Sequence, residues 1–213
     1  NYASADGSAT AGGVAGSGGQ DYAAALGSIS FAPGQTTQSI SVIVNGDTLD
    51  EANETFTVTL SSPTNATLGT PATGTGTITD DDDPPALLIS DTRVIEGNTG
   101  MATLNFTVGL TAPSGQTITV QYASADGTAT LANSDYMQAS GTLTFAPGTS
   151  TTQLVAVQVV GDTVTEGNEN LTVTLSSPVN ATITRATGTG IIINDDGALP
   201  IIGISNGQTN EGG

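Results

Sequence analysis

Apolar residues alternate with polar ones through much of this chain. Leu104, Phe106, Val108 and Leu110 stand at every second position; Val155, Val157 and Val159 do the same, and so do Leu171, Val173 and Leu175. A period of two puts one face of a strand in a core and the other in water, the habit of antiparallel sheets. Seven such strands are predicted in the second half, near 86–95, 101–110, 117–125, 141–146, 151–160, 169–176 and 188–194. Ala-Pro-Gly at 146–148 and Ser-Pro at 177–178 mark turns between them, as do Asp6-Gly7 and Asp126-Gly127. No segment shows the period of an amphipathic helix. Seven short strands in about 110 residues predict a two-sheet sandwich, with Tyr136 and Phe145 in its core.

The pattern occurs more than once. YASADGSAT at 2–10 returns as YASADGTAT at 122–130, GSISFAPG at 27–34 as GTLTFAPG at 141–148, and TVTLSSPTNAT at 57–67 as TVTLSSPVNAT at 172–182. The repeat is therefore about 115 residues long, with a Gly-rich insertion around 12–19. Residues 84–197 hold a complete unit, residues 1–83 a unit lacking its first strands, and residues 198–213 the start of a third. This arrangement predicts an internal window of a longer repeat array.

Charge and composition narrow the chemistry. Acids outnumber bases 20 to 2, for a net charge of -18. Nucleic acid is excluded as a partner, because phosphate binding needs a basic face, and so is an anionic membrane surface. Cysteine and histidine are absent. That removes disulfides, thiol and Ser-His-Asp catalysis, and the usual zinc ligands. The remaining donors are carboxylate, amide and carbonyl oxygens, which suit calcium or magnesium. Paired carboxylates also serve glycoside hydrolysis. A chain with no Trp and eight other aromatics, most at core positions, lacks the sugar platforms such a cleft needs, so no catalysis is predicted. No apolar run approaches the roughly 20 residues of a membrane span. Five Asn-x-Thr sequons, at Asn53, Asn65, Asn105, Asn170 and Asn180, matter only if the chain is secreted by a glycosylating cell.

The acids are not spread evenly. Of nine in residues 84–197, seven fall in four short stretches: Glu96; Asp135; Asp162, Glu166 and Glu169; Asp195 and Asp196. A group of like charges opposes folding unless something neutralises it. A solvated tip is the plain reading of one such run. Several runs at strand ends point instead to a shared tip that binds cations. Calcium takes six to eight oxygens, so this many carboxylates suit two or more ions.

The run SDYMQASGTLTFAPGTSTTQLVAVQVVGDTVTEGNENLTVTLSSP, with VIEGN, YASADGTAT and GTGIIINDD around it, resembles the Calx-beta domain. The resemblance covers almost the whole chain. It implies an all-β fold of tandem immunoglobulin-like antiparallel β-sandwiches of about seven strands each, with calcium held at one tip. It also implies the ligands: Glu96, Asp135, Asp162, the Val164 carbonyl, Glu166, Glu169, Asp195 and Asp196. In the first unit the matching set is Asp21, Asp47, the Leu49 carbonyl, Glu51, Glu54, Asp81 and Asp82, with Asp80 where the second unit has Asn194. The early Glu has no counterpart in residues 1–83; Glu211 is its match in the third unit.

The expected function is a calcium-binding structural repeat of an extracellular or cell-surface adhesin, stalk or filament, with calcium stiffening the joints. The Asp80-Asp81-Asp82-Asp83-Pro84-Pro85 junction sets one unit's acidic tip against the base of the next, and proline resists bending there. A calcium-sensing regulatory domain and a ligand-binding surface module are the alternatives. Expected partners are calcium ions and neighbouring units, with strand addition from other copies as a further route, because missing strands leave sheet edges open.

Overall fold

The computed structural model describes residues 1–12, 20–148 and 151–197, and every regular element among them is a strand. The third-unit segment 198–213 and most of the Gly-rich insertion lie outside the described residues. In the first repeat, β1 (Tyr2–Asp6), β2 (Leu26–Gly27), β3 (Glu54–Leu60) and β4 (Thr73–Ile78) form one antiparallel sheet in the order β2-β1-β3-β4. The second repeat builds two sheets from β5 (Ala86–Ile89), β6 (Thr92–Ile95), β7 (Gly100–Leu110), β8 (Ile118–Asp126), β9 (Ser140–Phe145), β10 (Thr152–Gly161), β11 (Glu169–Val179), β12 (Thr182–Arg185) and β13 (Thr187–Ile193). Their orders are β10-β7-β5-β12 and β6-β13-β11-β8-β9.

The alternation read from the sequence lines this sandwich. Leu104, Phe106, Val108, Val155, Val157 and Val159 come from one sheet; Val120, Leu143, Phe145, Leu171, Val173 and Leu175 face them from the other, and all are buried, as is Tyr136. Each such side chain contributes about 1.5–3 kcal/mol on burial. Two glycines let the sheets meet. A Cβ on Gly190 would lie 2.4 Å from Leu104 Cδ2 and 2.7 Å from Phe106 Cζ, and one on Gly188 would lie 3.1 Å from Phe106 Cδ1. The Thr-Gly-Thr-Gly run of β13 is thus cut to the bulk of β7.

The sequence reading differs from the structure in three places. The predicted strand 86–95 is two strands, β5 and β6, which belong to different sheets and pair in parallel with β12 and β13. The switch falls at Ser90 and Asp91. Asp91 Oδ1 accepts the Thr189 N–H at 2.8 Å and Arg185 Nη2 at 2.5 Å, which ties the crossing chain to β13 and to the end of β12. Ser177-Pro178 does not end β11: pairing with β8 shifts register between Ser176 and Val179, a bulge inside the strand. Third, β12 lies outside every predicted strand. In the first repeat the segment that matches β10 forms only an isolated bridge, Tyr22 to Val44. In the second repeat β10 pairs with β7 over its whole length. A groove of about 590 Å³ lies over Phe56, Val58 and Leu60.

Candidate metal centre

Strand direction gathers the acids of the second repeat. β6, β10 and β13 all run toward one end of the sandwich and β11 starts from it. Glu96 follows β6, Asp162 follows β10, Glu169 opens β11, and Asp195 and Asp196 follow β13. Asp135 arrives on the loop between β8 and β9. That loop is pinned by Tyr136, whose hydroxyl donates to Asp126 Oδ1 at 2.6 Å, while the Thr130 N–H donates to Asp135 Oδ2 at 2.7 Å. Carboxylate oxygens of Asp135, Glu166 and Glu169 lie within 4.8 Å of one another.

Glu96, Asp195 and Asp196 form the other side. The Glu96 N–H donates to the Ile193 carbonyl at 3.1 Å and the Gly97 N–H to Asp195 Oδ1 at 3.0 Å. Asn98 Nδ2 donates to Asp196 Oδ1. Gly161 permits this closure: a Cβ there would lie 2.1 Å from the Gly97 carbonyl oxygen, so a side chain at 161 would push β10 off the Glu96 turn. Glu96 Oε1, Asp196 Oδ2 and Asn194 Oδ1 are buried with no hydrogen-bond partner. Unpaired buried acceptors are expensive, and three converging at one tip are what a cation would satisfy.

The electrostatics agree. Burial first, and then Asp162, Asp196, Glu166 and Asp195, push the Glu96 carboxyl up to about 7. Glu169 is likewise pushed up to about 7, by burial and then by Asp135 and Glu166. Seven carboxyl groups of the predicted set therefore share one field. Val164 is 55% exposed, and its N–H donates to Asp162 Oδ1 at 2.6 Å, which shapes the loop.

The first repeat repeats the arrangement. Asp21, Asp47, Leu49, Glu51, Glu54, Asp80, Asp81 and Asp82 all line one cleft of about 110 Å³. Carboxylate oxygens of Asp21, Glu51 and Glu54 lie within 4.8 Å of one another. Asp21 is held as Asp135 is: its Oδ2 accepts the Thr10 N–H at 2.6 Å. Glu54 is pushed up to about 7 by burial and by Asp21, and Glu51 is raised by burial and then by Asp47. The donors are all hard oxygens, which fits calcium.

Three residues of the site escape the sequence reading. Asn53 and Asn168, equivalent in the two repeats, accept through Oδ1 the N–H groups of Asp80 at 2.9 Å and Asn194 at 3.3 Å. They fix the end of the last strand, and their shared place before Glu54 and Glu169 was the available signal. Asn98 supports Asp196. Asp50, on the first cation loop, accepts hydrogen bonds from the second repeat and lies outside the cleft.

The family model of the Calx-beta domain matches residues 1–82 and 80–197. Extracellular matrix protein 3 of Lytechinus variegatus is 28% identical over 173 residues, which are 78% of this chain and 6% of that protein. Adhesion G-protein coupled receptor V1 of Danio rerio is 29% identical over 210 residues, 90% of this chain and 3% of that protein. The chain thus spans a small part of the curated relatives it matches. Among solved structures, CBD12 from CALX1.2 is 22% identical, with a TM-score of 0.45, and covers 90% of this chain and 85% of its own.

Proposed function

Since the chain belongs to the Calx-beta family, whose domains are calcium-binding modules, we propose that it is a non-enzymatic calcium-binding repeat of an extracellular or cell-surface protein, an adhesin stalk or filament, in which calcium stiffens the joints. We assign residues 1–83, 84–197 and 198–213 to successive units. The ligands in this reading are Glu96, Asp135, Asp162, the Val164 carbonyl, Glu166, Glu169, Asp195 and Asp196, and their first-repeat counterparts Asp21, Asp47, the Leu49 carbonyl, Glu51, Glu54, Asp80, Asp81 and Asp82.

The observation that carries the reading is the placement of the first cleft. Its wall Asp80-Asp81-Asp82 runs through Asp83 and Pro84-Pro85 directly into β5 of the next repeat. A cation there cancels repulsion on both the tip loops and the linker, so the folded tip and the set of the joint share one energy. The extracellular setting is supported by the matrix and adhesion proteins among the relatives.

Calorimetric titration of the whole chain with calcium, with melts in calcium and in chelator, tests this. Binding of two or more ions with a raised Tm is expected. Affinity near the roughly millimolar calcium of extracellular fluid fits a structural joint, whereas micromolar or tighter binding fits a sensor. No heat and no shift in Tm would reduce the acids to a solvated tip.

A further inference from the structure

Asp50 is the one acid of the loop 46–54 that does not line the cleft. It is 6% exposed, and its hydrogen bonds come from across the joint. Its Oδ2 accepts the Ser114 hydroxyl at 2.7 Å, and both carboxylate oxygens lie 3.4 Å from Gln116 Nε2. Its main-chain carbonyl accepts the Gly115 N–H at 2.9 Å and lies 3.1 Å from the same Ser114 hydroxyl. Ser114 is 4% exposed, on the loop between β7 and β8. That loop is braced from its own side, because the Gly148 N–H donates to the Ser114 carbonyl at 2.8 Å and the Gln116 N–H to Ser114 Oγ at 3.0 Å.

Shape agrees with polarity here. A Cβ on Gly115 would lie 2.6 Å from Glu51 Cγ, so the second repeat packs closely against the Glu51 side chain of the loop 46–54. A charged acceptor makes hydrogen bonds about twice as strong as neutral ones, and burying it without donors would be costly. The aligned loops GDTLDEAN and GDTVTEGN differ at this place: the second repeat carries Thr165, which has neither the charge nor the second acceptor.

We propose that Asp50 is a latch between the repeats. It docks the first cation loop onto the 114–116 loop of the second repeat and fixes the angle between them, through a contact that contains no ion. The proposal deepens the calcium-joint reading, since Asp47 and Glu51 share the latch loop, yet it is separable from it.

The chain has no cysteine, so a pair introduced at the exposed Thr75 and Thr142 carries spin labels without competition. Inter-label distance distributions are compared for the parent, Asp50→Thr, Asp50→Asn and Ser114→Ala, each in calcium and in chelator, with calcium stoichiometry from calorimetry. Asp50→Thr is expected to broaden the distribution about twofold in both conditions, as for domains lacking a firm interface, with the number of bound ions unchanged. Ser114→Ala, placed on the far side and not itself a ligand, reproduces the broadening, and Asp50→Asn gives a smaller one. Unchanged distributions in Asp50→Thr and Ser114→Ala overturn the latch, and so does loss of bound calcium in Asp50→Thr. If no variant binds calcium but the broadening persists, the latch stands and the calcium reading fails.

Discussion

Glu54, Glu96 and Glu169 are three carboxyls held at the edge of ionisation, each near 7 against an ordinary 4.5. The sign of the consequence is opposite to that of a salt-bridged acid. Between 4.5 and 7 the folded chain holds more protons than the unfolded chain, so metal-free stability falls as pH rises through that window and levels off above it. Calcium must displace those protons, so its apparent affinity rises over the same window. Melts of the metal-free chain from pH 4 to 8 check this; a Tm that climbs between pH 5 and 7 would contradict it. The acids themselves were legible in the sequence, because clustered charge of one sign is conspicuous. Asn53, Asn98 and Asn168 were harder to see, because each acts by completing another group's hydrogen bonds, and only the shared place of Asn53 and Asn168 before Glu54 and Glu169 marks any of them. Gly161 stands just before Asp162 and carries no charge that would single it out. Its role is steric: the Glu96 turn occupies the space a side chain would need.

At the scale of elements, alternation located every long strand of the second repeat but not its sheet. Residues 86–95 read as one strand although the polar run Ser90-Asp91-Thr92-Arg93 interrupts their apolar residues, and hydropathy does not say that the chain crosses there from one sheet to the other. The crossing is fixed by donors on distant partners, Thr189 and Arg185, whose hydrogen bonds Asp91 accepts. The ion pair itself is exposed on both sides and contributes little. Ser177-Pro178 misled in the other direction, since a proline without an N–H is tolerated at a bulge as readily as at a turn. Gly188 and Gly190 look like weak points of a strand, yet the bulk of Leu104 and Phe106 requires them. Gly190→Ala is therefore expected to destabilise the second repeat by about 1–3 kcal/mol through overpacking, despite the better strand entropy of alanine. Gly74→Ala, at the matching place of Gly188 in the first repeat, meets nothing within 4 Å and is expected to be near neutral. Denaturant melts of the two variants decide between close packing and mere propensity.

The whole molecule carries a net charge of -18 with two arginines and no lysine. Its described residues contain a single ion pair, Arg185 with Asp91. Self-repulsion is thus almost unopposed within the chain, and it is concentrated at the two acidic tips. Two remedies act on it differently. Monovalent salt screens charge everywhere, with a Debye length near 10 Å at 0.1 M and about 3 Å at 1 M. Calcium acts only where oxygens converge. In chelator, then, raising NaCl from low concentration to 1 M is expected to raise the Tm steadily, because screening removes a penalty the folded state bears most. In saturating calcium the tips are already neutralised, and the same salt now also weakens the attraction that holds the ions. The salt dependence should therefore flatten, and at sub-saturating calcium it should reverse. Thermal melts across NaCl at fixed calcium or chelator measure both slopes. Parallel slopes in the two conditions would mean that calcium acts as one more screening salt, and that the convergence of carboxylates at the strand ends has no bearing on stability.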